Sequence, residues 1–126
     1  MKIIWTNGCF DIIHRGHIEL FKYAKSLGDR LYVGIDSDLK VSTDKGSSRP
    51  INNQGDRKFV LESIKWVDKV EIFNSSAQLE ELVAAARPDV MVIGADWRGK
   101  KIIGQQFAKD VVFFDRIAGY STSSVI

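Results

Sequence analysis

Apolar positions along the chain fall into two patterns. Short runs without polar alternation occupy residues 2–6, 31–35, 69–73, 90–93 and 111–114, which reads as strands buried on both faces. Between them apolar residues recur at helical spacing: Leu20, Phe21, Ala24 and Leu27 within 18–27, a second set over 57–67, and Leu79, Leu82, Val83 and Ala86 before Pro88. Gly28-Asp29 stops the first of these helices, and Pro88 forbids continuation of the third. A short helix is predicted around 102–108. The order β-α-β-α-β-α-β-α-β predicts an α/β fold: one Rossmann-like domain over residues 1–126, with a five-stranded parallel sheet and helices on both faces. Ligands of such sheets bind beyond the carboxyl ends of the strands. That rule selects the loops at 7–17, 36–57, 74–77, 94–101 and 115–124. Residues 37–56 read as a long mobile loop suited to closing on a ligand.

Length and composition narrow the classes without changing this picture. A chain of 126 residues, 44% hydrophobic and 27% charged, supports one core of ordinary make-up. No apolar run is long enough for a membrane span, and no secretory leader is legible, so a cytoplasmic protein with no membrane partner is expected. Cys9 is the lone cysteine, which excludes an internal disulfide and a cysteine-based zinc site. The net charge of +2 is too small for nucleic-acid binding by bulk electrostatics, and no nucleic-acid partner is expected. Lys45, Arg49, Arg57 and Arg116 are still able to converge on a small polyanion.

The chemistry concentrates in the first seventeen residues. The first strand breaks into Asn7-Gly8-Cys9-Phe10-Asp11, and His14-Arg15-Gly16-His17 follows at the start of a helix, holding both histidines of the chain. A strand that turns into a helix N-terminus presents unpaired N–H groups and the positive end of the helix dipole to one point. Gly16 lets backbone approach a ligand, and imidazoles three residues apart share a face. Neither a Gly-x-Gly-x-x-Gly fingerprint nor a Gly-Lys-Ser/Thr loop follows the strand, so another phosphate device is at work.

His14-x-Gly16-His17 resembles the His-x-Gly-His signature of the cytidylyltransferase-like nucleotidyltransferases. Further segments match in order: Gly8-x-Phe10-Asp11, then Lys45-Gly-Ser-Ser-Arg49-Pro50-Ile-Asn52 followed by Arg57, then Arg116-Ile-Ala-Gly119-Tyr120-Ser121-Thr122-Ser123. The last departs mildly from the family's Ser-Thr-Thr and keeps the hydroxyl. The resemblance covers the whole chain. It implies transfer of a nucleotidyl group from a nucleoside triphosphate to a phosphorylated sugar or polyol, with release of pyrophosphate, Mg²⁺ accompanying the triphosphate, and a homodimer.

Carried over residue by residue, the resemblance makes His14, His17, Lys45 and Arg116 the catalytic set. The imidazoles would stabilise charge around the α-phosphate, Lys45 would act as a mobile cation, and Arg116 with Tyr120, Ser121 and Thr122 would hold the β and γ groups. Gly8, Cys9, Phe10 and Gly16 would line the phosphate approach, with Cys9 a small packing residue and no nucleophile. Gly94, Asp96 and Trp97 would hold the nucleoside. Asp11 and Asp38 would orient the acceptor, cations or the metal, and Arg57 would grip the acceptor's phosphate. On the residues alone, Asp11 and Asp38 also read as caps, Lys45, Arg49 and Arg57 as solvated charges, and Trp97 as a packing contact, while Trp5 and Trp66 read as packing residues. Two branches of the family fit. The heptose-1-phosphate adenylyltransferase domain, using ATP, is favoured by Asn7–Asp11 and the lysine loop; glycerol-3-phosphate cytidylyltransferase, using CTP, is the alternative, through Asp96-Trp97-Arg98-Gly99-Lys100. A nucleotide-binding regulatory module without activity is the rival from another class.

Overall fold

Successive residues of each strand go to opposite cores. In the computed structural model, which describes residues 1–115, β1 (Ile3–Gly8) sends Ile4 to one face of the sheet and Trp5 to the other, both with no exposed surface. In β4 (Val90–Gly94), Val92 joins the first core while Met91 and Ile93 join the second. Two buried faces explain why these strands read as unbroken apolar runs. The other strands are β2 (Arg30–Asp36), β3 (Lys69–Phe73) and β5 (Asp110–Phe114). All five form one parallel sheet in the order β3-β2-β1-β4-β5.

Helices cover both faces, as expected. Phe21 and Ala24 of α1 (Arg15–Ser26) pack with Leu61 in the first core; Leu79 and Val83 of a helix at Ser76–Ala86 pack in the second. The chain therefore builds outward from β1 through β2 to β3, returns, and adds β4 and β5 on the other side of β1. The reversal lies between β1 and β4, and the crevice at their carboxyl ends is the ligand position of such a fold. Gly34 keeps the adjoining strand close: a Cβ there would stand 2.7 Å from Cζ2 of Trp5.

Three local expectations are corrected. Residues 37–56 are not one long loop, because α2 (Asp38–Lys45) forms within them. Ser37 caps it by accepting from the Lys40 N–H, and Gly46 ends it at φ 106. Its apolar signal is weak, since Val41 is its single buried residue. The helix expected at 57–67 is α3 (Gln54–Glu62), started by Asn53, whose side chain accepts from the Asp56 N–H. The helix expected at 102–108 is only a 3₁₀ turn at Gln105–Phe107. Gly104 precedes it at φ 85, and a Cβ there would lie 2.8 Å from Val83. The helix at Ser76–Ala86, α4 in chain order, starts three residues before its apolar spacing begins. No helix among the described residues is long and apolar enough to cross a membrane.

Candidate functional site

The two histidines cap the helix on which they stand. His14 is the N-cap of α1, and its Nδ1 accepts the Gly16 N–H at 3.1 Å. His17 reaches back, so that its Nδ1 accepts the His14 N–H at 3.2 Å. This reciprocal pair is a capping box in which imidazoles take the parts usually played by a hydroxyl and a carboxylate. The rings stack at 3.9 Å between centroids with 24° between planes.

That hydrogen-bonding pattern assigns the tautomer. A nitrogen that accepts carries no proton, so a neutral imidazole bonded through Nδ1 keeps its proton on Nε2. Burial lowers the pKa of His14, and burial together with the His14 ring lowers that of His17 to about 4. At neutral pH both rings are thus neutral and each carries its proton on Nε2. Phe10 supports the arrangement from beneath. Its ring meets His17 edge-on at 5.3 Å and Phe21 at 5.1 Å, and it is buried at φ 48. Phe10, expected at the nucleotide, is a core residue that holds His17.

A cleft of about 400 Å³ opens at the carboxyl ends of β1, β2 and β4. Of the residues expected there, Gly8, Cys9, Lys45, Gly94 and Trp97 line it. Lys45 is exposed at the last turn of α2, and Trp97 is 52% exposed. The Cys9 thiol has its pKa raised, burial outweighing the nearby Lys45 and Arg57 charges. It therefore stays protonated, in keeping with a packing role. His14, Gly16 and His17 do not line this cleft; they follow Cys9 on the loop that leaves its wall. Asp96 is exposed beside Trp97, outside the lining.

The three residues assigned to the acceptor are placed differently from expectation. Arg57 is 2% exposed, and its guanidinium is engaged internally. Nε donates to the Asn52 carbonyl, one terminal nitrogen to the carbonyls of Cys9 and Asp36, and the other to Asp38. It braces the ends of β1 and β2 against α3 and is not presented to a ligand. Asp38 lies off the cleft with its carboxylate on Arg57 at 2.9 Å. Asp11 is also buried: its carboxylate accepts from the N–H groups of Ile51 and Asn52, both at 2.8 Å, and from Arg49 at 3.3 Å. Burial would raise its pKa, but these backbone and Arg49 bonds outweigh burial and lower it. Asp11 and Arg57 together fasten residues 49–57 to the loop after β1.

Sequence reasoning missed a row of charges on the cleft wall. Asp36, Lys40 and Asp44 all line the cleft, as does Lys101. Lys40 Nζ stands 3.4 Å from Asp36 and 2.6 Å from Asp44. Burial alone would lower the Lys40 pKa; the hydrogen bond to Asp44 and the two negative charges prevail and raise it. Their spacing of four is visible in the sequence, but only a helix gives it meaning, and apolar periodicity does not predict α2. Arg116, Tyr120, Ser121 and Thr122 lie outside the described residues.

No three histidine, cysteine or acidic residues converge on a point among the described residues. The Asp11 carboxylate is engaged by residues 49–52.

A cytidylyltransferase-like family model matches residues 5–125. Bifunctional protein HldE of Helicobacter pylori (strain Shi470) is 46% identical over 99% of this chain, and that of Campylobacter concisus (strain 13826) 45% identical over 99%. The chain spans about a quarter of the length of these relatives, 27% and 26% respectively. Among solved structures, the lipopolysaccharide core biosynthesis protein from Thermoplasma volcanium GSS1 superposes with a TM-score of 0.69 at 28% identity, covering 96% of this chain and 99% of its own. The chain belongs to the cytidylyltransferase-like family of nucleotidyltransferases.

Proposed function

We propose that this domain transfers the adenylyl group of ATP to heptose 1-phosphate, forming ADP-heptose and pyrophosphate. The observation that carries the reading is the mutually capped, stacked pair His14 and His17 beside a strand-end cleft. An oxygen of the acceptor phosphate attacks the α-phosphorus in line, and the bond from that phosphorus to the oxygen bridging to the β-phosphate breaks. Pyrophosphate leaves with the bond's electron pair. Negative charge grows on the phosphate oxygens as this happens, and fixed Nε2–H donors stabilise it without reorganising. Neither ring has to gain or lose a proton.

Lys45, exposed on the cleft at the end of α2, supplies a positive charge to the triphosphate. Trp97 and the apolar wall of Ile93, Ile102 and Ile103 suit the nucleoside. Arg116, Tyr120, Ser121 and Thr122 take the β and γ phosphates by family resemblance. Mg²⁺ accompanying the triphosphate would neutralise phosphate charge, with the phosphate oxygens supplying most of its ligands. The domain works in the cytoplasm, where ATP is available, and as a homodimer.

The similarity to the HldE proteins supports the sugar branch over CDP-glycerol synthesis. Pyrophosphate release from ATP or CTP, each crossed with heptose 1-phosphate and glycerol 3-phosphate, tests it. Release is expected chiefly with ATP and heptose 1-phosphate. Preference for CTP with glycerol 3-phosphate would assign the other branch, and nucleotide binding without release for any pair would mark a regulatory module.

A further inference from the structure

Asp11, Asp38 and Arg57 do not line the cleft, whereas a row of charged side chains does. The charged wall has the right chemistry for the acceptor. Asp36, Lys40 and Asp44 stand four residues apart, so the end of β2 and one face of α2 set a carboxylate, an ammonium and a carboxylate in a row along the cleft. Phe73 lines the same wall, its ring centroid 5.9 Å from Lys40 Nζ.

The row carries one net negative charge. A phosphate placed against it meets two carboxylates and a single ammonium already shared between them. A neutral polyhydroxylated body meets two oxygen acceptors for its hydroxyl protons and an ammonium donor for its oxygens. Asp44 is 49% exposed, so its contact with Lys40 is a partly solvated pair that opens at little cost. Lys45 and Lys101 remain as separate cations of the cleft for phosphate.

We infer that Asp36, Lys40 and Asp44 form the wall that reads the acceptor's hydroxyl groups, and that Lys40 and Asp44 select a sugar phosphate over a short polyol phosphate. The inference rests on the nucleotidyl-transfer reading above. It divides the cleft between an apolar half for the nucleoside and a hydroxyl-reading half for the sugar.

Calorimetric titration tests it without turnover. Heptose 1-phosphate, glycerol 3-phosphate and a non-hydrolysable ATP analogue are each titrated into the parent protein, Asp44→Ala, Lys40→Met and Lys40→Arg, with folding followed by thermal melting. Heptose 1-phosphate should bind about tenfold more weakly to Asp44→Ala and Lys40→Met, the loss of one charge-assisted hydrogen bond. Glycerol 3-phosphate should change less than about threefold and the ATP analogue less than about twofold, and Lys40→Arg should retain most of the sugar-phosphate affinity. Unchanged heptose 1-phosphate binding in both variants, equal weakening of the ATP analogue, or no heptose 1-phosphate binding by the parent would overturn the inference. Failure of the reaction reading shows separately, as sugar-phosphate binding by the parent protein with no pyrophosphate released.

Discussion

Two imidazoles and one guanidinium decide how the residues around this cleft divide their work. His14 and His17 spend their Nδ1 atoms on backbone N–H groups, which turns a helix cap into a fixed pair of donors. The folded pKa of His17, about 4, lies below its ordinary value of 6.5. The unfolded chain therefore binds a proton more readily, so this residue's contribution to stability is complete above pH 6.5 and is lost as pH falls toward 4. Denaturation midpoints measured between pH 7 and 4 should decline over that window, and His17→Gln should flatten the decline. Arg57 is the opposite case, a charge that the sequence presents as solvated and the structure buries. Replacing it with Met strands the carbonyls of Cys9, Asn52 and Asp36, at about 1–3 kcal/mol for a buried unsatisfied group. Arg57→Met should cost about 3 kcal/mol or more in urea unfolding, whereas Asp38→Ala, at a partly exposed partner, should cost about 1 kcal/mol or less. Equal losses would mean that the Arg57–Asp38 pair, and not the carbonyl brace, carries the stability.

Elements with a wide apolar face were legible in the sequence, and those held by caps and polar bonds were not. The five strands and the helices α1 and α4 follow from Ile4, Trp5, Phe21, Leu79 and Val83, each buried in one of two cores. Helix α2 offers Val41 alone to the interior and stands on its Ser37 cap, so apolar periodicity passes over it. The same omission hid Lys40 and Asp44, whose partnership exists only at helical spacing. The burial of Arg57 was beyond sequence reasoning for another reason: its acceptors are backbone carbonyls far along the chain, and carbonyls carry no residue identity. At 102–108 apolar content promised a helix that Gly104 prevents. Gly104→Ala should destabilise the domain by about 1–3 kcal/mol, since φ 85 is strained for alanine and its Cβ would press on Val83. A stability change within about 0.3 kcal/mol would show that the segment relaxes freely.

At the scale of the molecule, the doubly covered parallel sheet puts its reversal between β1 and β4 and so decides where the cleft lies. Buried Asp11 and Arg57 then lock residues 49–57 against the loop after β1, and α2 carries Lys40, Asp44 and Lys45 to the opposite wall. Fold, brace and cleft thereby place the capped imidazoles next to a pocket with one apolar and one charged side. Whether those imidazoles act as transition-state donors is decided by separating capping from catalysis. Asparagine caps a helix through its side-chain oxygen but has no ring Nε2–H, so His14→Asn preserves the fold while removing the donor. With ATP and heptose 1-phosphate, the variant should melt within a few degrees of the parent and release pyrophosphate about 10²–10³ times more slowly. A folded His14→Asn protein that turns over within a few-fold of the parent would contradict the role given to the pair.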